Sequence, residues 1–318
     1  MNKINSGIFL FVFILFFTFE TNAQQFKIVA ADNGSALSFA TLINYTHPNF
    51  VSANENGIAD LILQNGDSIT VSYVGYKTTS FIFNSNTSTN IRLFKENRVL
   101  PSVTVLKCKK SKELEYGNKN AVNYRIMEDG KRANIAFGWW GINILLESFN
   151  PKFAVRLNPE KDNAVLKSFS FWLKKNGSST MSAIKTPLIV TFHDVTDSIL
   201  PGNELIETPL FYYPQKEGKQ TINLDSLRII IPPKGIYVSI QIVMNNAYAW
   251  PLKVKRQNLN DTVVTGYGGN IEGVITKDFE LAGFNPIKNY WYLLSKSTEE
   301  NKLHSSIKCV AVLKYCED

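Results

Sequence analysis

The chain has 318 residues, 44% of them hydrophobic and 19% charged, with a formal net charge of +7. That length and balance suit two folded domains with cores of their own and exclude a disordered or fibrous chain. The positive excess is concentrated, with ten Lys/Arg against five Asp/Glu between Lys95 and Arg132. Such a segment reads as a solvated connector near an anionic envelope, and a nucleic-acid partner is not expected.

At the N-terminus, Lys3 precedes an apolar run from Gly7 to Phe19, and Thr21-Asn22-Ala23 then offers small residues to a signal peptidase. This predicts a signal peptide over 1–23, cleaved after Ala23. The run falls short of the roughly 20 residues that span a bilayer, and no later run approaches that length, so no span is expected after cleavage. No Cys follows the run, which argues against a lipid anchor.

From Gln25 onward come short runs rich in Val, Ile, Phe, Tyr and Thr: 26–30, 39–45, 58–63, 68–74, 78–83 and 90–94. Asp32-Asn33-Gly34, His47-Pro48-Asn49, Asn56-Gly57 and Asn65-Gly66-Asp67 break them. Strands at this spacing with no helical period between them predict a small antiparallel sandwich. Asn56-Gly57 and Asn65-Gly66 supply the positive φ of tight turns, and Gly75 marks a bulge or a close backbone approach.

Three pieces of this region resemble the carboxypeptidase regulatory-like domain that Bacteroidetes envelope proteins often carry. They are Ser38-Phe39-Ala40-Thr41-Leu42, Asn54-Glu55-Asn56-Gly57 before an apolar strand, and Asp67 to Lys77 ending in Val74-Gly75-Tyr76-Lys77. Leu37-Ser38 and Ile58 depart from the family pattern, where a proline and an aromatic are usual. The resemblance covers residues 24–95 and implies a transthyretin-like, seven-stranded sandwich without a catalytic role. On that footing Asn54 to Phe83 is the part of the chain least expected to carry a functional site.

Residues 96–132 are expected to form a basic linker, with one strand at 99–106. Residues 133–318 again alternate with period two. Phe169, Phe171 and Leu173 share one face, as do Leu188, Val190 and Phe192, then Ile236, Val238, Ile240 and Ile242, then Ile307, Cys309, Ala311 and Leu313. The pattern predicts a second, larger sandwich, and its order is similar to the jelly-roll-like regions appended to this module. The fold class is therefore all-β throughout. Residues 245–289 read as a long irregular insertion, a place where function often sits.

The chemistry-bearing residues are sparse. His47, His193 and His304 are isolated and form no zinc motif, so neither a metal nor a peptidase reaction is expected, and no phosphate-binding loop implies a cofactor. Cys108, Cys309 and Cys316 allow one bridge within the chain. Cys309 with Cys316 is the expected pair by proximity, although seven residues along one strand would set them on opposite faces unless the chain bends.

Aromatic residues are the remaining resource. Trp250 and Tyr267 fall in the predicted insertion, where they could stack on a sugar with Asp261 or Asn270 bonding its hydroxyls; the competing reading is that they pack in a core. The sequence thus predicts an exported, non-catalytic envelope protein. It would be periplasmic, outer-membrane associated or at the cell surface, with a glycan or an envelope protein as partner. An assembly scaffold is the alternative, and a hydrolase would require a cleft with converging titratable groups.

Overall fold

The computed structural model describes residues 23–96, 110–140, 152–160, 164–175, 184–254, 262–286, 288–294 and 303–317. The expected signal peptide therefore lies outside the described residues except for Ala23, as does the strand expected at 99–106. Among the described residues no helix is long and apolar enough to cross a membrane.

Seven strands build the first sandwich: β1 (Ala23–Ala30), β2 (Thr41–Asn44), β3 (Asn49–Ser52), β4 (Ile58–Ile62), β5 (Ser68–Ser72), β6 (Thr79–Ile82) and β7 (Asn90–Leu93). They form a three-stranded sheet, β4-β1-β7, facing a four-stranded sheet, β3-β2-β5-β6. Between them Phe26, Ile28, Leu42, Leu61, Ile69 and Val71 are buried in one core. The turn glycines take the expected left-handed backbone, with φ of 72° at Gly57 and 95° at Gly66. The strand β3 is absent from the sequence reading because the His47-Pro48-Asn49 break that precedes it is the turn of the β2–β3 hairpin.

The second sandwich opens earlier than expected. Strand β8 (Lys110–Gly117) lies within the supposed linker, followed by the hairpin β9 (Tyr124–Ile126) and β10 (Arg132–Asn134). Then come β11 (Ala136–Trp140), β12 (Lys152–Leu157), β13 (Ala164–Lys174), β14 (Leu188–Val195), β15 (Pro201–Glu204), β16 (Leu210–Tyr212) and β17 (Gly218–Asn223). The remainder are β18 (Ile230–Ile231), β19 (Ile236–Ile242), β20 (Ala249–Val254), β21 (Thr262–Thr276), β22 (Leu281–Asn285), β23 (Tyr290–Leu293), β24 (His304–Ile307) and β25 (Cys309–Glu317).

These strands divide between two sheets. One has the path β11-β21-β13-β25-β8, the other β15-β14-β19-β12-β22-β23. The chain passes repeatedly from one to the other in jelly-roll-like fashion, and the inward rows match the alternation in the sequence. Phe169, Phe171, Leu173, Val190, Phe192, Val238, Ile240, Ala311 and Leu313 belong to one core. Burial of this size is the main stabilising term for such a domain.

Three expectations need correction. Residues 110–117 are not linker but an edge strand, because Leu114 and Tyr116 alternate with Glu113 and Glu115 and pair with β25. Residues 245–289 are not an irregular insertion, since β20, β21 and β22 occupy most of them. Cys309 and Cys316 do not pair: β25 runs straight through both, so Cys309 points into the core as a free thiol while Cys316 is disulfide-bonded elsewhere. Burial raises the Cys309 thiol pKa far above its ordinary value. Cys108 lies outside the described residues.

The two sandwiches are joined by more than the connector. The Ser52 amide donates to the Met244 carbonyl at 2.7 Å, Met244 N–H donates to Ser52 Oγ at 3.1 Å, and Asn245 Nδ2 donates to the Ser52 carbonyl at 2.9 Å. Ile43 and Phe50 enter the core of the larger sandwich. Phe39, only 1% exposed, packs with Ile189 and Val243 and meets Phe211 edge-on at 5.0 Å between ring centroids. It does so with φ at 64°, a left-handed backbone that a bulky residue adopts only when its surroundings hold it there.

Candidate functional site: a cleft between the sandwiches

Strands β14, β19, β12, β22 and β23 each have a second face, which looks toward the N-terminal sandwich. Cross-strand register sets Ile189 beside Gln241, Gln241 beside Lys152, and Phe284 beside Trp291. Close to the junction this face is dry, with Ile189 against Phe39, and Gln241 Nε2 donating to Thr41 Oγ1 at 3.3 Å. Farther out the two sheets part and leave a cleft of about 300 Å³, at the lower end of the range for ligand pockets.

The floor comes from the larger sandwich. Ala154 and Ala282 are small, and Trp291 packs against them. Its ring meets Phe284 at 5.2 Å and His193 at 5.4 Å, both edge to face. The ammonium of Lys152 sits 5.3 Å from the centre of the Trp291 ring and 6.0 Å from that of Phe284, within cation–π range. Burial pushes the Lys152 pKa down, and the nearby Glu204 carboxylate partly opposes this. Among the described residues Lys152 forms no salt bridge within 4 Å.

The roof comes from the N-terminal sandwich. Tyr45 stands just past the end of β2, Thr70 and Ser72 project from β5, and Tyr73, Val74 and Tyr76 follow from the Val-Gly-Tyr turn. Tyr73 and Tyr76 meet edge-on at 5.5 Å. Burial, with Tyr76 adding to it, pushes the Tyr73 hydroxyl to about 12, so it stays protonated and able to donate. Between these tyrosines Gly75 has φ of 79°, and a Cβ there would lie 2.1 Å from the Glu207 carbonyl oxygen of the larger sandwich. The expected close approach is thus an interdomain one. The stretch 54–83, least expected to carry a site, supplies one wall of the cleft.

His193 is built into the wall rather than aimed at a ligand. Its Nδ1–H donates to the Gly202 carbonyl at 3.2 Å, which leaves Nε2 as an acceptor with the hydroxyls of Thr191 at 3.0 Å and Ser239 at 3.2 Å in reach, one donating to it and the other to its neighbouring hydroxyl. Thr191 Oγ1 and Ser239 Oγ are in turn 2.5 Å apart. Ser239 is fully buried, so this Ser–His pair has no open nucleophile. Among the described residues no group of three or more His, Cys, Asp or Glu side chains is placed to hold a metal ion.

The residues singled out from the sequence do not assemble into a site. Trp250 and Tyr267 are each 6% exposed, so neither offers a face to a sugar. Trp250 lies across the β20–β21 pair, its ring 2.8 Å from where a Cβ on Gly266 would sit, and Tyr267 joins the main core. Gly266, within the predicted insertion, is therefore strand backbone thinned to admit a tryptophan, not a loop. Asn270 is half-buried beside Lys174. Asp261 lies outside the described residues. For Trp291, only its register opposite Phe284 reveals its place in the cleft.

No known family model matches the chain, and no curated protein matches it. Among solved structures the chain is similar to the cysteine protease and lectin-like domains of Cwp84, a surface-layer-associated protein of Clostridium difficile. Identity is 10%, the TM-score is 0.30, and the match covers 92% of this chain and 63% of that one. It is also similar to a variant of clostridial cysteine protease Cwp84 after propeptide cleavage, with 11% identity, a TM-score of 0.29, and 92% and 70% coverage. The chain thus spans less than two thirds of the first of these structures. Likeness at these TM-scores bears on neither fold nor ligand.

Proposed function

We propose that the protein is an exported, non-catalytic binding module of the cell envelope, periplasmic or outer-membrane associated, that holds a glycan in the cleft between its two sandwiches. The N-terminal sandwich is proposed as a carboxypeptidase regulatory-like module that forms one wall of that cleft. The carrying observation is the aromatic floor of Phe284 and Trp291 facing the tyrosines of the opposite wall, with Gln241, Asn203 and Glu204 at its margin. Apolar rings for C–H faces, with amide and carboxylate groups for hydroxyls, match an amphipathic ligand of this size. The engaged nitrogens of His193 and the buried Ser239 support binding over turnover.

The test is a glycan array probed with residues 24–318, followed by calorimetry on any hit. Trp291→Ala should weaken binding at least about tenfold, as loss of a buried aromatic anchor does, while Trp250→Ala should alter stability and leave affinity unchanged at temperatures where it stays folded. Binding to no glycan, or equal affinity in Trp291→Ala, would sink the reading and leave an assembly scaffold ahead.

A further inference from the structure

We infer that the ligand of the cleft is acidic, a sugar bearing a carboxylate, sulfate or phosphate group that meets the ammonium of Lys152. This rests on the cleft being the binding site. Lys152 is carried there by backbone register: it is the first residue of β12, on the outward face beside Gln241, with the aromatic row of Phe284 and Trp291 on its other side.

A lysine on a sheet surface ordinarily extends into water or pairs with a carboxylate. This one is folded over two rings, half-buried, and forms no salt bridge among the described residues. Ring faces stabilise an ammonium only in part, and three N–H donors remain to be satisfied. An oxyanion entering the cleft can accept from them at short distance in a partly dry setting, where charge-assisted bonds are strongest. Glu204, also on the lining, then accepts from hydroxyls, and its charge disfavours a ligand that is anionic throughout. The favoured ligand is therefore one that carries a single acidic group on a ring otherwise rich in hydroxyls, not a densely charged polyanion.

The experiment compares residues 24–318 on matched pairs of oligosaccharides: uronic-acid glycans with their carboxyl-reduced counterparts, sialylated with desialylated, and singly sulfated or phosphorylated with unmodified. Wild type should bind the acidic member about 10- to 100-fold more tightly, as one charge-assisted contact allows. That preference should vanish in Lys152→Met and persist in Lys152→Arg, with circular dichroism melts confirming that both fold. Preference for neutral members, or an acidic preference unchanged in Lys152→Met, overturns the inference while leaving the cleft as a glycan site. Binding of neither member of any pair overturns the binding reading itself.

Discussion

Replacing Phe39 by alanine should loosen the junction between the sandwiches. The side chain is 1% exposed and packs against Ile189, Val243 and Phe211, so the change removes a buried ring. Truncating a buried Phe costs about 3–5 kcal/mol, and the edge-on pair with Phe211 places this one toward the upper half. Alanine keeps the left-handed backbone at φ 64° and its cost of roughly 1–2 kcal/mol, whereas glycine escapes it. Phe39→Gly should therefore come out no less stable than Phe39→Ala, although it removes one carbon more. Urea titrations followed by far-UV circular dichroism and by tryptophan fluorescence measure both variants. Fluorescence reports only the larger sandwich, because all five tryptophans lie beyond residue 138, and the transition should split in the variants as the sandwiches lose their coupling. A loss below about 1 kcal/mol in Phe39→Ala, or a Phe39→Gly clearly worse than it, would refute the claim that this ring locks the domains.

Other changes follow from the same geometry. Gly75→Ala puts a Cβ against the Glu207 carbonyl and strains the turn, so it should cost about 1–3 kcal/mol in denaturant titrations and weaken ligand affinity by moving one wall of the cleft. Asp67 is 1% exposed; desolvation alone would raise its pKa, but bonds from Gln64 N–H, His47 and Asn44 outweigh it and leave the pKa lowered. A depressed carboxylate stabilises the fold above its unfolded value and loses that contribution as pH falls through the lower folded value. The stability gap between wild type and Asp67→Asn should thus be full at pH 7 and shrink below about pH 4. Cys309 should resist thiol reagents in the native protein, and denaturation without reduction should make it reactive, with the label mapped to Cys309 by mass spectrometry.

Much of the architecture can be read from period-two alternation, because each inward row faces a single core. Phe169, Phe171 and Leu173 show it, as do Leu188, Val190 and Phe192. The same logic hides the cleft. Alternation marks Ile189, Thr191 and His193 as an outer face, and nothing local says whether that face meets water or another domain. The signal was there in the size of Ile189 and Tyr237, large apolar residues on a nominally polar face. Glycines misled in the opposite direction: Gly266 reads as loop but is strand made narrow for Trp250. Leu114 and Tyr116 alternated all along within the segment whose charge suggested a linker.

Strand β25 lies between β13 and β8 in its sheet, and that position dictates the order in which the molecule can fold. Among the described residues β8 pairs only with β25, and the bond from Asn118 Nδ2 to the Ile307 carbonyl closes a separation of 189 residues. The junction is slightly more remote in sequence, with Met244 and Ser52 joined across 192. Contacts this distant are slow to form and leave strand edges open meanwhile. As the chain emerges from the ribosome or a translocation pore, the N-terminal sandwich can close early, while the larger one must wait with an unpaired edge and an uncovered core. Its period of greatest exposure to misassembly and proteolysis is thus the interval before β25 is delivered.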